Sequence, residues 1–262
     1  MFEVRRRSSR VILQLVLFLL TVPFLLPLVQ MVIGALGGIG WRNFVVVWDT
    51  GVIPTFFKNS AILAGSVIAI VYVLSMTASF GFSKLHVLGK EVYFWLMLAA
   101  LTLPEVILLS PLFVTATQLH LYNTLTAVVL PLAALQLPFA ILLTRNFFDG
   151  IPTELIDAGR IDGASVVQTF WHIVLPLTKP IASAVVVLTL VNSWNSYLLP
   201  LVFLQDRSNQ VVTLLPQFFV GEYTNDQTKI LAAAVMTAVP TVLAYVLMQK
   251  NFERGLSAGA LK

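Results

Sequence analysis

The chain reads as an all-α integral membrane protein: six transmembrane helices, with a cytoplasmic helical hairpin between the fourth and fifth. Three observations lead there. Hydrophobic residues make up 58% of the 262 positions and charged residues only 11%, at a mean hydropathy of +0.90, whereas a soluble domain carries about 25% charge. Apolar runs recur at the length that crosses a bilayer, for which about 20 helical residues suffice. The cations are spread unevenly over the segments between those runs.

The elements follow in order. Residues 1–10 carry Arg5, Arg6, Arg7 and Arg10 and form a cytoplasmic N-terminus. The run 11–33 is the first span, longer than the 7–15 apolar residues of a signal peptide, although Gly34-Ala35-Leu36-Gly37-Gly38 offers a cleavage-like site. Segment 34–58 lies outside, with an amphipathic piece from Trp41 to Trp48 expected along the outer surface. The second span, 59–82, holds Ala64, Gly65, Ser75 and Ser79, small residues suited to close helix packing. A cytoplasmic loop, 83–91, precedes the third span, 92–117, which contains Pro104, Glu105 and Pro111. After an outer turn, 118–124, the fourth span, 125–144, carries Pro131, Gln136 and Pro138, and Arg145 closes it. A cytoplasmic loop, 145–180, leads to the fifth span, 181–203. An outer loop, 204–229, the sixth span, 230–248, kinked at Pro240, and a cytoplasmic tail, 249–262, complete the chain. Residues 59–248 form its core.

Orientation follows from charge. Twelve of the sixteen Lys and Arg residues fall on the segments assigned to the inside, leaving Arg42, Lys58, Arg207 and Lys229 outside, a positive-inside bias. Because the cations flank apolar spans and form no basic face, the net charge of +4 points to lipid and excludes nucleic acid. There is no cysteine, hence no disulfide or thiol chemistry. His86, His120 and His172 lack metal-ligand spacing, so no metal site is expected.

The polar interruption Asp149–Pro180 holds Asp149, Glu154, Asp157 and Asp162, four of twelve acidic residues. A long loop with its own helical pattern is usually functional. Thr153 is placed to cap a helix Glu154–Ile161, whose first turn carries Glu154 and Asp157 where negative charge suits the dipole. Asp162-Gly163 signals a turn, with Gly163 free to take a backbone angle other residues resist. Ser165 caps a second helix, Val166 to about Val174, which Pro176 is expected to stop. Leu155, Ile156, Ile161, Val167, Phe170, Trp171 and Ile173 are too many apolar groups for a free loop and should be buried, partly on the membrane helices and partly on a partner. His172, among apolar neighbours, is expected to pack within the hairpin.

The run D-A-G-R-I-D-G-A-S-V-V-Q-T-F-W-H-I-V-L-P resembles the EAA motif of permease subunits of bacterial ABC importers. Asp157-Ala158-Gly159 stands for Glu-Ala-Ala, Gly163 for the motif glycine, and Ile173-Val174-Leu175-Pro176 for its ending. The departures are Asp for Glu at Asp157, one methylene shorter, and Gly for Ala at Gly159, which costs a helix about 1 kcal/mol. Asn59-Ser60 resembles the family's opening of the second span, and Leu121-Tyr122-Asn123-Thr124 its turn before the fourth. Trp194-Asn195 with Leu199-Pro200-Leu201, and the ending Arg254-Gly255-Leu256 through Gly259-Ala260-Leu261-Lys262, resemble the maltose-type, carbohydrate-uptake branch in its six-span subunit.

That resemblance implies a bacterial inner-membrane subunit with both termini cytoplasmic. It would pair with a second permease as a heterodimer, with two ATPase subunits and with an extracytoplasmic solute-binding protein that contacts the Gln205–Thr228 loop. The hairpin would be the coupling helix. Glu154, Asp157, Ala158, Gly159, Asp162, Gly163, Ala164, Phe170 and Trp171 would form the ATPase contact, Asp157 meeting a basic residue, Gly163 setting the bend, and Ala164, Phe170 and Trp171 filling the cleft. No cofactor is expected on this chain, which lacks a G-x-x-x-x-G-K-[ST] phosphate loop; ATP and Mg would sit on the ATPase, and no catalytic residue is expected here. Polar groups at membrane depth face a pathway or a partner helix. Asn192, Trp194, Asn195 and Tyr197 therefore either touch solute or bond the partner permease, and Glu105 beside Pro104 either lines the pathway or bonds backbone freed by a broken helix. A sugar or oligosaccharide is the expected solute, with a polyol, a glycerophosphate or another solute as alternatives. An ion-driven secondary transporter would need inverted repeats and acid–base relays, and an intramembrane enzyme a nucleophile with its base or metal ligands; the sequence presents neither set.

Overall fold

A computed structural model describes the backbone of residues 7–221 and 226–260 and the side chains of residues 11–221 and 226–249. The basic N-terminal residues and the carbohydrate-branch ending therefore lie outside the described side chains. Among the described residues the chain is helical, without a β-strand. The longer helices are α1 (Arg7–Ala35), α2 (Arg42–Trp48), α3 (Ile53–Lys84), α4 (Lys90–Ala99), α5 (Glu105–Gln118), α6 (Leu125–Asp149) and α7 (Thr153–Ile161). Three-residue turns α8 (Val166–Gln168) and α9 (Leu175–Leu177) flank a π-helical turn, Thr169–Val174; α10 (Lys179–Trp194), α11 (Leu198–Phe203) and α12 (Gln227–Ala260) follow.

Among the described residues four helices, α1, α3, α6 and α12, are long and apolar enough to cross a membrane. Two further pairs are sharply bent, Lys90–Thr102 against Glu105–Gln118 by 102° and Val166–Leu177 against Lys179–Trp194 by 78°, giving up to six spans if each pair counts as one. The third expected span is thus broken. A 3-10 turn, Ala100–Thr102, ends α4, then Leu103 and Pro104 are extended (ψ 117° and 135°) and Glu105 opens α5. Proline supplies no N–H and drives its predecessor out of the helical region, which explains the break. The fifth is broken as well: α10 stops at Trp194 and α11 resumes at Leu198.

The chain divides into two compact units, Met1–Gly51 with Leu215–Ala238, and Val52–Leu214 with Val239–Lys262. In the first, α1 is apolar on every side and its spanning stretch is wholly unburied, as suits lipid. The end of α1 is tied to α2 by Asn43, whose Nδ2 donates to the carbonyls of Ala35 (2.9 Å) and Gly37 (2.8 Å) and whose Oδ1 accepts from Thr228 Oγ1 (3.3 Å). The amphipathic piece is therefore anchored by a buried amide. Lys229 and Thr228 hydrogen-bond Asp226 and hold its carboxyl below the usual carboxylate range.

In the second unit α3 packs along α6, with α10 against both. Leu63, Val67, Val71 and Met76 of α3 meet Val128, Leu132 and Ala140 of α6 and Val185 of α10. Of the expected small packing residues, Ala64, Ser75 and Ser79 are buried, and Ser79 and Thr144 share a hydrogen bond where α3 crosses α6. Gly65 instead faces outward with open space around it, because one residue turns a helix by about 100°.

Candidate functional site: a hairpin and a polar cavity

The hairpin is built on three local devices. Pro152 occupies the cap position of α7 and Thr153 is its first residue, with no side-chain cap, which corrects the expected Thr153 cap; proline suits that edge because its fixed φ needs no donor. Gly163 turns the chain at φ +82°. Ser165 caps the second arm in a full capping box: Gln168 N donates to Ser165 Oγ (3.3 Å) and Ser165 N to Gln168 Oε1 (2.8 Å). That arm passes Pro176 to Leu177. The π-helical turn before Pro176 absorbs the donor the proline lacks, so the helix is not stopped where expected.

The hairpin's residues divide into buried and exposed sets. Ile156, Gly159, Thr169, Phe170 and Val174 are buried. Phe170, 7% exposed, packs at 5.2 Å on Phe80 of α3 with the two rings tilted by 52°, so it braces the hairpin on its own chain. Leu155, Ile161, Val166, Val167 and Trp171 are exposed, Ile161 by 87% and Trp171 by 58%. His172 is exposed too, its Nδ1 3.2 Å from the carbonyl of Gln168. Glu154, Asp157, Ala158 and Asp162 are exposed, Asp157 3.4 Å from Arg160, and Ala164 is half-buried. Gly159 is buried because the second arm crosses it: a Cβ there would stand 2.5 Å from Ile173 Cδ1.

At the base of the hairpin, Arg145 Nη2 donates to Glu91 (2.6 Å) while its guanidinium lies 4.0 Å from the Phe94 ring. Ser83 Oγ donates to Asp149 (2.6 Å) and Lys84 Nζ to the carbonyl of Ile151 (2.7 Å). The ends of α3, α4 and α6 are thereby joined where the chain enters α7.

Glu105, Asn192, Asn195 and Tyr197 line one open cavity of about 460 Å³. Asn195 is partly committed elsewhere: Nδ2 donates to Val191 O (2.8 Å) and Oδ1 accepts from Thr241 Oγ1 (3.4 Å). Trp194 is not with them; it meets Phe57 edge-on at 6.0 Å and lines a smaller cavity beside Pro240. Sequence reasoning passed over Gln136, which also lines the main cavity. A lone amide between two prolines of an apolar span was the signal that could have found it.

Two family-like motifs acquire a shared job. Asn59 Nδ2 donates to the carbonyls of Ser208 and Gln210 (both 2.8 Å), and Ser60 Oγ accepts from Val212 N (2.9 Å). Asn123, at φ +60°, accepts at Oδ1 from Gln205 N and Asp206 N (both 3.0 Å), and its Nδ2 donates to Asp206. Both motifs pin the segment that follows α11.

Residues 80–257 match the family described as the binding-protein-dependent transport system inner membrane component. The chain is 36% identical over 223 residues to the arabinooligosaccharides transport system permease protein AraQ of Halalkalibacterium halodurans, covering 84% of this chain and 78% of that one. It is 30% identical over 224 residues to the sn-glycerol-3-phosphate transport system permease protein UgpE of Yersinia pestis, covering 82% and 79%. In fold it is similar, at a TM-score of 0.78 and 19% identity, to a chain from a bacterial ABC transporter involved in the import of the acidic polysaccharide alginate, with 96% of this chain and all of that one aligned. On the extent of these matches, the chain belongs to the binding-protein-dependent transport system inner membrane components, the permease subunits of ABC importers.

Proposed function

We propose that this subunit forms half of a sugar-importing pathway and that the Thr153–Leu177 hairpin couples it to a separate ATPase. The observation that carries the reading is the exposed apolar surface of the hairpin. After the chain buries Ile156 and Phe170 on itself, Leu155 and Ile161 of α7 remain exposed, as do Val166, Val167 and Trp171 of the second arm, which is bent 78° from α10, and exposed apolar surface of this extent marks an interaction site. Glu154, Asp157 and Asp162 are exposed on the same hairpin, and a basic cleft suits them. The Asp157–Arg160 pair is an exposed ion pair, weak enough to be exchanged for a partner's cation.

In this reading the chain crosses the membrane six times, 11–33 through 230–248, with the third span broken at Leu103–Pro104 and the fifth after Trp194, and the positive-inside count supports cytoplasmic termini and a cytoplasmic hairpin. ATP and Mg are held by two ATPase subunits whose closure draws the hairpins together. The second permease and this one then rock as rigid bodies between inward- and outward-facing states. Arg145 and Lys84 carry the hairpin's displacement into α4 and α3. Glu105, Asn192, Asn195 and Tyr197 line this subunit's share of the pathway, and the outer loop pinned by Asn59 and Asn123 meets the solute-binding protein. The carbohydrate cargo rests on the kinship with the arabinooligosaccharide permease; a glycerophosphate is the second reading, on the kinship with the glycerol-3-phosphate permeases.

The test uses Gly163→Pro and Asp157→Lys in the assembled complex. Proline cannot adopt φ +82°, and lysine reverses the charge of the motif's acid. Both variants are expected to insert and assemble yet lose transport and solute-stimulated ATP hydrolysis. Wild-type transport in both sinks the coupling assignment.

A further inference from the structure

We propose that Arg145 is a positioning residue that exchanges carboxylates during the transport cycle: it holds Glu91 of α4 in the resting subunit and Asp149 of α6 once ATP has drawn the hairpin in. This role rests on the coupling reading of the hairpin and gives that coupling a latch.

One cation stands between two acids. Arg145 Nη2 lies 2.6 Å from Glu91 Oε1, whereas Nε is 3.9 Å from Asp149 Oδ2, beyond hydrogen-bond reach. Nη1 is buried without a hydrogen-bond partner. A guanidinium can fork onto a carboxylate through two parallel bonds, and this one makes a single short bond. The unused donors leave the group under-satisfied and open to a second arrangement. Asp149 is ready to receive it: Oδ1 accepts from Ser83 Oγ at 2.6 Å, which leaves Oδ2 for Arg145. Two rings hold the cation while its partner changes. The guanidinium lies 4.0 Å from the Phe94 ring and 6.0 Å from the Phe82 ring, and the rings meet edge-on at 5.6 Å. Attraction to a ring face is electrostatic and needs no particular N–H direction.

The attachment of the two acids sets the order of events. Glu91 sits in the first turn of α4, while Asp149 ends α6, four residues after Arg145, and leads into the hairpin. A pull on the hairpin moves the end of α6 against α4. It stretches the contact with Glu91, which spans two helices, and spares the contact with Asp149, which lies within one. An i,i+4 pair with the cation on the N-terminal side is the weaker orientation on a helix. Glu91 therefore prevails at rest, and ATP binding by the partner supplies the difference that moves the cation to Asp149.

The test compares wild type, Glu91→Gln and Asp149→Asn in the complex of both permeases and the ATPase in lipid nanodiscs. Both changes remove charge and keep shape, and Asp149→Asn retains an acceptor for Ser83. Basal ATP hydrolysis, with no solute added, is expected to rise about threefold to tenfold in Glu91→Gln, whose resting state loses its bond. It should fall by a similar factor in Asp149→Asn, whose ATP-bound state loses its own. The range is that of a charge-assisted hydrogen bond discounted for carboxylates that are 54% and 39% exposed. A merely structural tie would not move hydrolysis in opposite directions. Amide hydrogen exchange over Lys90–Phe94 reads the latch directly. It should be faster in wild type trapped with ADP and vanadate, equally fast without nucleotide in Glu91→Gln, and less accelerated by trapping in Asp149→Asn. Hydrolysis shifted in one direction by both variants, hydrolysis unchanged in either, or exchange that trapping leaves alone in wild type overturns the proposal. Wild-type transport by Gly163→Pro strikes the coupling assignment instead, and the exchange measurement still decides whether Arg145 changes partners.

Discussion

Replacing Gly159 with alanine sets two opposing effects against each other at the crossing of the hairpin's arms. Alanine is favoured over glycine inside a helix by about 1 kcal/mol. The new Cβ, however, would lie 2.5 Å from Ile173 Cδ1, with Ala164 Cβ and Thr169 Oγ1 at 3.9 Å. Overpacking of this kind costs about 1–3 kcal/mol. Cδ1 is the tip of a flexible side chain, which places the cost at the lower end. Gly159→Ala alone is therefore expected to be neutral to mildly destabilising. In an Ile173→Val background the obstructing methyl is gone, and the same change should stabilise by about 1 kcal/mol. The coupling between the two positions is then about 1–2 kcal/mol, as found for residues in contact. Melting of the purified complex, followed for wild type, both single variants and the double, measures it; 1 kcal/mol moves the midpoint by about 2–4 °C for a chain of this order. If Gly159→Ala raises the midpoint equally in both backgrounds, the arms do not touch there and the packing argument is refuted.

Two further outcomes follow from the polar ties. Arg145→Gln removes a charge-assisted hydrogen bond to Glu91 and a cation–π contact with Phe94; because Glu91 is half exposed and rehydrates, the expected loss is about 2 kcal/mol, read by melting. Arg145→Lys should recover less than half, since an ammonium neither forks nor stacks. Asn123→Ala leaves the Gln205 and Asp206 amides without their acceptor and puts a Cβ-only side chain at φ +60°. Amide hydrogen exchange over residues 204–212 should accelerate about tenfold with transport-independent timing, and unchanged protection there would show that Asn59 and Ser60 hold the segment alone.

Local signals carried much of the architecture. Apolar length marks a span because a helix rises a fixed 1.5 Å per residue across a fixed thickness, and α1, α3, α6 and α12 lie where such runs do. Gly163 was legible because a positive φ is a property of one residue, and Ser165 because a cap reaches only three residues. The breaks were half legible: Pro104 announced the bend in the third run but not its 102°, and the break after Trp194 has no proline to announce it.

By itself the sequence determined what depends on neighbours in the chain: the apolar segments, the uneven spread of cations along it, the hairpin's turn and its Ser165 cap, and a motif specific enough to name a family. Only the tertiary structure decided what depends on residues far apart. It turned Phe170 inward onto Phe80 and left Trp171 outward, although the two are adjacent and both aromatic. It separated Trp194 from Asn195 and brought Glu105 and Gln136 to the same cavity as Asn192. It gave Asn59 and Asn123 a common loop to hold. The physical reason is the same in each case: helical periodicity specifies that a face is apolar or polar, but which surface it meets is set by packing between helices, and that energy belongs to pairs of residues the local sequence does not bring together.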